Sequence, residues 1–348
     1  MLRGTLKALA TVSVALFPLF GPKPAPQTPD PTVIAPAPLK PGQRAAYYNP
    51  VFGRVFPDPS VMRVGRTYYA YATHSGPLTR GVFPILRSRD LVHWKPAGHA
   101  FRSPPGFSYG RWWAPSALRW RGRYYLFYSA QARIPGRMCV AVAVARRPTG
   151  PFRHRSVLDC GVTGGSIDPA PLVVGRRVYL YFARTDGSCR QFPSRCSIVG
   201  MRLSRDLLRG GGRRWLIGVD QPWESSPTYS IVENPWVVRR DGLYYLLYSG
   251  NDWKAAYGMG YATSRSPLGP FVKPERRPFL RARFGLFAPG GGSVITGPRG
   301  KTWLAYHARR EGPGYANDRR RSLHLDRLLV SRGTVRVKGP TLKSAVRP

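Results

Sequence analysis

Acidic side chains are scarce in this chain. Its 348 residues include 16 Asp and Glu against 55 Lys and Arg, which gives a formal net charge of +39 at pH 7. Lysine is scarce too, because nine of the basic residues are lysines and 46 are arginines. Such a charge favours attraction to acidic polymers, including pectin, other cell-wall polymers and nucleic acid. The arginines are scattered, however, which favours a compositional bias, and no motif indicates specific nucleic-acid binding.

Cysteine is nearly absent, and metal-binding spacings are missing altogether. Neither CxxC nor HExxH occurs among the four cysteines and six histidines, which disfavours a zinc site. Four cysteines fit an oxidising compartment and allow three disulfide pairings. Of these we expect the two local bridges, Cys139–Cys160 and Cys189–Cys196.

No hydrophobic run near the start is long enough to span a bilayer. The stretch from Ala8 to Phe20 has thirteen residues and follows Arg3 and Lys7, which is typical of an export signal. We therefore predict a signal peptide over residues 1–20, without a recognisable cleavage site. Eight prolines over residues 21–42 predict a semi-rigid linker. These features predict a secreted, extracellular protein with no transmembrane segment in the mature chain.

Long amphipathic helical patterns are also lacking, whereas glycine (38) and proline (36) are abundant, which suits many short strands. One phrase, a glycine turn followed by aromatic and β-branched residues, occurs five times at glycine intervals of 57, 53, 67 and 58 residues. The copies are GRTYYAY from Gly65, GRYYLFY from Gly122, GRRVYLY from Gly175, GLYYLLY from Gly242 and GKTWLAY from Gly300.

The repeat interval suits a four-stranded sheet, and five sheets arranged radially form a five-bladed β-propeller. A β-sandwich or β-helix would show other periods. We therefore predict an all-β propeller domain over residues 43–348, closed by strands within Arg327–Thr341 with help from Tyr47–Val55. A second phrase behind four of the copies, as in RSRDLVHW and ARRPTGPF, indicates polar outer strands and turns.

The stretch VFPDPSVM places Asp58 between two prolines ahead of the first repeat. Because proline restricts the residue before it, we expect Asp58 to be held in an extended conformation. Asp168-Pro169 and Glu233-Asn234-Pro235 precede the third and fourth repeats in the same way. A single Asp-Pro is most often a turn carboxylate. Three acids at matching repeat positions instead predict that Asp58, Asp168 and Glu233 meet at one mouth of the channel.

Acidic groups crowded in a desolvated site raise the pKa of at least one of them. One carboxyl group then stays protonated near neutrality while another is ionised. Glycoside hydrolysis needs this pair, an acid for the leaving oxygen and a base for water.

Together these features resemble glycoside hydrolase family 43. Members of this family are five-bladed propeller enzymes that act on arabinose- and xylose-containing polysaccharides. The resemblance covers roughly residues 45–341 and depends on five segments. These segments are NPVFGRVFPDPSVMRVGRTYYAYAT, WWAPSALRWRGRYYLFYSA, SIDPAPLV, IVENPWVVRRDGLYYLLYSG and FAPGGGSVITGPRGKTWLAYHAR. It implies Asp58 as general base, Glu233 as general acid and Asp168 as the residue that orients the acid and tunes its pKa. It also implies inversion, with the acid and base about 6.5–9.5 Å apart.

One residue departs from the family pattern. Asn234 follows the acid where the family usually has glycine or alanine, and its side chain could crowd the leaving-group subsite or hydrogen-bond Glu233. Glu224, in PWESSP, is a rival acid that we interpret as a loop carboxylate because it lacks the strand context of Glu233.

The resemblance further implies a calcium or other ion at the channel centre near His307, although a histidine on a strand is commonly a hydrogen-bonded core residue. No organic cofactor is expected. Aromatic rings suit the apolar faces of sugars. We therefore predict a sugar-binding role for Trp113 above all, and for Trp112, Tyr109 and Trp253, although blade packing would also explain them.

These observations predict a secreted, monomeric hydrolase cleaving α-L-arabinofuranosyl linkages in arabinan or arabinoxylan. Its partners would be arabinose- or xylose-containing polysaccharides or oligosaccharides. Three alternatives stay open: a β-D-xylosidase acting on xylo-oligosaccharides, a sugar-binding propeller with weak or lost catalysis, and a cationic adhesion protein held on acidic polymer.

Overall fold

The computed structural model describes residues 43–185, 189, 196–310, 320–344 and 346–348. The predicted signal peptide and linker lie outside these residues and stay predictions. The described residues contain 22 β-strands, two 3₁₀ turns (Leu78–Arg80 and Pro222–Glu224) and no α-helix. No helix within them is long and apolar enough to cross a membrane.

Apart from one two-stranded pair near the ends of the domain, the described strands form five antiparallel sheets in chain order, which confirms the five-bladed β-propeller. Blade one contains β3 (Ser60–Val64), β4 (Thr67–Tyr71), β5 (Val82–Ser88) and β6 (Lys95–Phe101). Blade two contains β7 (Ser108–Trp120), β8 (Arg123–Ala132), β9 (Met138–Ala145) and β10 (Arg153–Asp159). Blade three contains β11 (Ser166–Val174), β12 (Arg177–Thr185), β13 (Cys196–Leu203) and β14 (Gly210–Gly218). Blade four contains β15 (Val232–Arg240), β16 (Leu243–Gly250) and β17 (Gly258–Ser264).

Blade five is built from both ends of the domain. Its strands β18 (Leu286–Thr296), β19 (Thr302–Arg310), β20 (Ser322–Ser331) and β21 (Thr334–Lys338) are joined by β2 (Phe52–Val55), which pairs with β20. Nearby, β1 (Tyr47–Tyr48) pairs with β22 (Lys343–Ser344). The predicted closing segments at both ends are thus confirmed, and the early segment closes the ring by strand pairing.

The repeated phrase forms the second strand of every blade. Its last tyrosine is fully buried in all five copies. These tyrosines are Tyr71, Tyr128, Tyr181, Tyr248 and Tyr306. Burying one large side chain of this kind contributes roughly 1.5–3 kcal/mol, so the phrase chiefly builds the core between blades. The second phrase forms the end of the third strand and the turn after it. It does not form the outermost strand that we expected.

Both predicted disulfides are present. Cys139–Cys160 joins β9 to the segment after β10, and Cys189–Cys196 ties Cys189 to the start of β13. Both bridges are local, and the described residues hold no free cysteine.

Candidate active site

Five residues near the starts of the first strands, each directly before a proline, adopt a left-handed backbone conformation. Their φ angles are 53° for Asp58, 41° for Ala114, 59° for Asp168, 54° for Asn234 and 46° for Ala288. The expectation that Asp58 is extended is therefore wrong. Proline disfavours the right-handed helical region for the preceding residue, and contacts from the neighbouring blade select the left-handed one. Asn234 is the true counterpart of Asp58 and Asp168, and Glu233 lies one residue earlier.

Hydrogen bonds between neighbouring blades hold this backbone. The amide of Asp58 donates to Nδ1 of His307 at 3.1 Å, and the amide of Asp168 donates to Oγ of Ser129 at 2.8 Å. In the same way, the amide of Ala114 donates to the hydroxyl oxygen of Thr73, and the amide of Gly291 donates to that of Ser249.

Blade three departs from this pattern, because Phe182 takes the place that Ser129 and Ser249 hold in their blades. The amide of Asn234 instead donates to Oδ2 of Asp168 at 3.1 Å. Asp168 is therefore tied to the residue directly after Glu233.

Asp58 lies in a strongly polar pocket although its side chain is only 10% exposed. Its Oδ2 accepts the hydroxyl of Thr73 at 2.5 Å, and its Oδ1 lies 3.3 Å from Nη1 of Arg321 and 3.3 Å from Nδ1 of His307. Burial alone would raise the pKa of Asp58, but the Arg321 guanidinium, helped by the hydrogen bond from the Thr73 hydroxyl, outweighs it and holds this pKa well below its usual range. Asp58 is consequently ionised at neutral pH.

Glu233 has the opposite electrostatic environment. Burial, together with the negative charge of Asp58, raises its pKa to about 7, against the lowering effect of a hydrogen bond from the Tyr257 hydroxyl at 2.7 Å. Burial and the charges of Glu233 and Asp58 likewise raise the pKa of Asp168 well above its usual value. The three predicted acids therefore interact within one site. Asp58 and Asp168 also line a common pocket with Ala114 and Asn234.

Two glycines of the FAPGGG segment leave room for this site. A Cβ atom on Gly291, whose φ is +57°, would lie 2.6 Å from Cε1 of His307 and 2.8 Å from Oδ1 of Asp58. A Cβ atom on Gly290 would collide with the ring of Tyr257. Only glycine fits at these positions without displacing the groups that contact the acids.

His307 is fully buried, and burial lowers its pKa, so the ring is neutral. Because Nδ1 accepts the Asp58 amide, the ring proton belongs on Nε2, which is buried and has no hydrogen-bond partner among the described residues. A protonated ring nitrogen cannot ligate a cation directly, whereas it can donate to a water molecule. No group of three or more His, Cys, Asp or Glu side chains in the described residues could hold a metal. The residues at His307 therefore do not fit direct coordination of the expected ion.

The four predicted sugar-contacting aromatic residues lie in different environments. Trp112 is buried in the blade core, where its Nε1–H donates to Oγ of Ser108 at 3.0 Å. Trp113 is half-buried against the small cluster containing Met138, and Tyr109 is 49% exposed. The structure therefore gives Trp112 a packing environment and leaves Tyr109 accessible.

Trp253 lies next to Thr73 and Arg321, two residues that contact Asp58. It lines a cavity of about 500 Å³ with Thr73, His74 and Arg321. Cations of Arg321 and Arg309 lie 4.9 and 5.2 Å from the centre of its ring, so cation–π contacts orient the indole at the cavity wall.

Glu224 is a buried structural carboxylate. It is fully buried, forms an ion pair with Lys273 at 2.6 Å and accepts the Tyr248 hydroxyl at 2.7 Å. Its surroundings are those of a structural carboxylate, because it is enclosed within the 3₁₀ turn Pro222–Glu224 that connects blades three and four.

Sequence reasoning missed three residues of the site, Thr73, Tyr257 and Arg321. Thr73 could have been found, because it lies two residues after the first repeated phrase, close to the place that Ser129 holds directly after the second. Tyr257 and Arg321 lie in segments that do not repeat, and only the folded chain places them beside the carboxylates.

Comparison with known proteins agrees with this geometry. The family model described as glycosyl hydrolases family 43 matches residues 47–334. The fold and the match define a glycoside hydrolase, and the chain belongs to glycoside hydrolase family 43.

Curated relatives are distant. A β-D-galactofuranosidase, xynD, from Aspergillus niger is 26% identical over 78% of this chain and 77% of its own length. An extracellular endo-α-(1→5)-L-arabinanase from Thermotoga petrophila is 23% identical over 74% of this chain and 65% of its own. Among solved structures, a thermostable family-43 glycoside hydrolase is 30% identical, with a TM-score of 0.74, covering 85% of this chain and 97% of that one. The named activities of the two curated relatives differ, so the family alone leaves the sugar open.

Proposed function

We propose that this protein is an exported, inverting glycoside hydrolase that cleaves α-L-arabinofuranosyl linkages in arabinan or arabinoxylan. The observation that carries the proposal is the opposite shift of two neighbouring carboxyl groups, since the pKa of Asp58 is lowered and that of Glu233 is raised to about 7. One group is an available base and the other an available acid at near-neutral pH. Arabinose-acting relatives support the choice of sugar, and the disulfides support export.

In the proposed mechanism, ionised Asp58 removes a proton from a water molecule whose oxygen attacks the anomeric carbon. The bond between that carbon and the glycosidic oxygen breaks as protonated Glu233 gives its proton to the leaving oxygen. The cycle ends with Asp58 protonated and Glu233 ionised, and exchange of one proton through solvent restores both. A single displacement of this kind inverts the anomeric configuration.

Asp168 acts on Glu233 through the backbone and through charge. Its carboxylate accepts the amide of Asn234, which fixes the peptide directly after the acid. Its proximity to Glu233 also means that ionising both groups is unfavourable. The two groups therefore hold one proton between them, and the Asn234 amide, which donates to the ionised form of Asp168, favours that proton on Glu233. We assign Asp168 as a positioning residue.

Asn234 also takes a defined place in this proposal. Asn234 contacts the acids through its backbone amide, which donates to Asp168. Asn234 also lines the pocket that it shares with Asp58, Ala114 and Asp168. A glycine or alanine would supply the same amide, so Asn234 is compatible with catalysis. This favours an active hydrolase over a propeller that only binds sugar.

Product analysis tests the substrate directly. The protein is incubated with linear arabinan, branched arabinan, arabinoxylan and xylo-oligosaccharides, and the released sugars are identified by chromatography. Release of arabinose or arabino-oligosaccharides is the expected result. Xylose release without arabinose would support the xylosidase alternative and overturn the arabinosyl assignment. Binding with no sugar release from any substrate would overturn the catalytic assignment.

The stereochemistry and the pH profile test the mechanism. Proton NMR of the first product should show the anomer opposite to that of the substrate, and retention would contradict the role given to Asp58. Because Glu233 must be protonated, kcat/KM should fall as pH rises through about 7.

A further inference from the structure

The turns at the end of the propeller opposite the carboxylates have a common composition. In each blade the first strand begins at the carboxylate mouth, so the turn to the second strand lies at the far end. In an antiparallel sheet the turn from the third strand to the fourth lies at that same end. We call this end the distal face; it is formed by nine such turns and, in blade four, which has three strands, by the segment that follows β17.

Every turn of the distal face carries or adjoins an exposed arginine. In the turns after the first strands these residues are Arg66, Arg121, Arg176, Arg240 and Arg299. In the turns after the third strands they are Arg89, Arg146, Arg205, Arg265 and Arg332. Ten of the 46 arginines therefore recur at corresponding turns of the blades, and folding gathers these ten charges on one surface.

Acidic residues do little to neutralise the distal face. Asp90, Asp206 and Asp241 are the carboxylates in these turns. Asp90 pairs with His93 at 2.6 Å and Asp206 accepts the Ser204 hydroxyl at 2.5 Å. Asp241 lies 3.6 Å from Nε of Arg240, in an exposed pair of low energy.

A pocket between blades two and three concentrates the positive charge. It has a volume of about 410 Å³ and contains no acidic side chain in its lining. Its five arginines are Arg121, Arg176, Arg177, Arg202 and Arg205.

The half-buried ring of Trp120 organises one side of this pocket. The guanidinium of Arg121 lies 5.5 Å from the centre of the Trp120 ring, and Nε1–H of Trp120 donates to the carbonyl of Arg205 at 3.4 Å. The indole of Trp120 thus contacts the turns that contain Arg121 and Arg205, and the side chains of both arginines line the pocket.

We propose that the distal face, with this pocket at its strongest point, binds a carboxylate-bearing polysaccharide. The planar guanidinium of arginine can donate two parallel hydrogen bonds to one carboxylate, which the ammonium group of lysine cannot do. A surface of arginines is therefore well suited to binding carboxylates. A ring of single arginines on successive turns fits an extended polymer with regularly spaced charges. Membership of a family that acts on glycans favours an acidic glycan over nucleic acid. The surface would hold the enzyme on its substrate matrix while leaving the carboxylate mouth open.

The test measures binding of the full chain to polygalacturonate, neutral arabinan and duplex DNA by isothermal titration calorimetry at several salt concentrations. The variant is the triple substitution Arg121→Gln, Arg176→Gln and Arg205→Gln. The control is Arg102→Gln, Arg276→Gln and Arg277→Gln, which removes the same charge from exposed positions outside the distal face. Circular dichroism and thermal melting confirm folding of both, independently of catalysis.

Binding to polygalacturonate should exceed binding to neutral arabinan and weaken as salt rises. The distal-face variant should bind about tenfold more weakly, since three exposed charge contacts are lost, while the control keeps most of the affinity. Equal weakening of both variants, or no preference for polygalacturonate, would overturn the proposal. Binding of DNA at least as tightly as polygalacturonate, with the same sensitivity to the triple substitution, would assign the face to nucleic acid instead. None of these outcomes depends on whether the protein cleaves arabinosides.

Discussion

Two buried carboxylates, Asp58 at the channel mouth and Asp326 in the core of blade five, show how this fold sets acidity. Asp326 accepts hydrogen bonds from the Tyr306 hydroxyl at 2.6 Å and from Thr341, yet burial raises its pKa to about 7. Asp58 also accepts a hydroxyl, but it faces the guanidinium of Arg321 as well, and its pKa is lowered. Neutral donors do not offset the burial of this charge, whereas a nearby cation does.

The largest expected effect separates the two carboxylates by function. Asp58→Asn should reduce turnover by about 10²–10⁴-fold, because the base is lost while the amide keeps the contact to Thr73. Asp326→Asn should retain turnover, since that residue lies in the core of blade five. Initial rates on a chromogenic arabinofuranoside measure both, and equal losses in the two variants would contradict the assigned base.

The second prediction concerns stability and uses Asp326. Because its pKa in the folded state is raised from 3.8 to about 7, its stabilising contribution is complete below pH 3.8 and is lost as pH rises towards 7. The loss amounts to as much as ~4 kcal/mol by the linkage relation. Asp326→Asn should remove this dependence, because the amide can still accept from Tyr306 and donate to Thr341.

Urea unfolding at pH 4.5 and pH 8, monitored by tryptophan fluorescence, measures this difference. The parent should lose more stability than Asp326→Asn between the two pH values. Asp241→Asn, an exposed substitution, is the matched control and should follow the parent. An identical pH dependence in the parent and Asp326→Asn would show that burial does not raise the pKa of Asp326.

The third prediction removes the cation that distinguishes the two carboxylates. Arg321→Met should raise the pKa of Asp58 by about 1–3 units, because burial is then opposed chiefly by the hydrogen bond from Thr73. The acidic limb of the kcat/KM profile should move to higher pH by a similar amount. Arg327→Met removes another arginine of the same strand region and should leave that limb unchanged. If the acidic limb of the Arg321→Met variant stayed in place, the low pKa of Asp58 would have to come from contacts other than Arg321.

Much of this architecture could be predicted from the sequence because the propeller repeats. Five copies of a glycine–aromatic phrase predicted five blades, and the acids next to prolines ahead of three copies predicted that Asp58, Asp168 and Glu233 share one site. The predicted extended conformation of Asp58 was wrong, because local backbone preferences do not include the hydrogen bond from its amide to His307 in another blade. Arg321 and Tyr257 lay beyond sequence reasoning, because neither belongs to the repeat and both reach the acids through long-range contacts. Charge distribution was also missed, because arginines distant in sequence share one face only after folding.

The smallest expected effect compares two glycines with the same backbone and different surroundings. Gly291 has φ of +57° and contacts Asp58 and His307, whereas Gly175 has φ of +58° and open space around its missing Cβ. Gly175→Ala should cost only the backbone strain, about 1 kcal/mol, with normal kcat. Gly291→Ala should cost a further ~1–3 kcal/mol and lower kcat, since the new methyl group displaces the base or its histidine partner. Thermal unfolding and initial rates of the two variants measure the difference, and matching losses would mean that the channel mouth relaxes around the methyl group without disturbing Asp58.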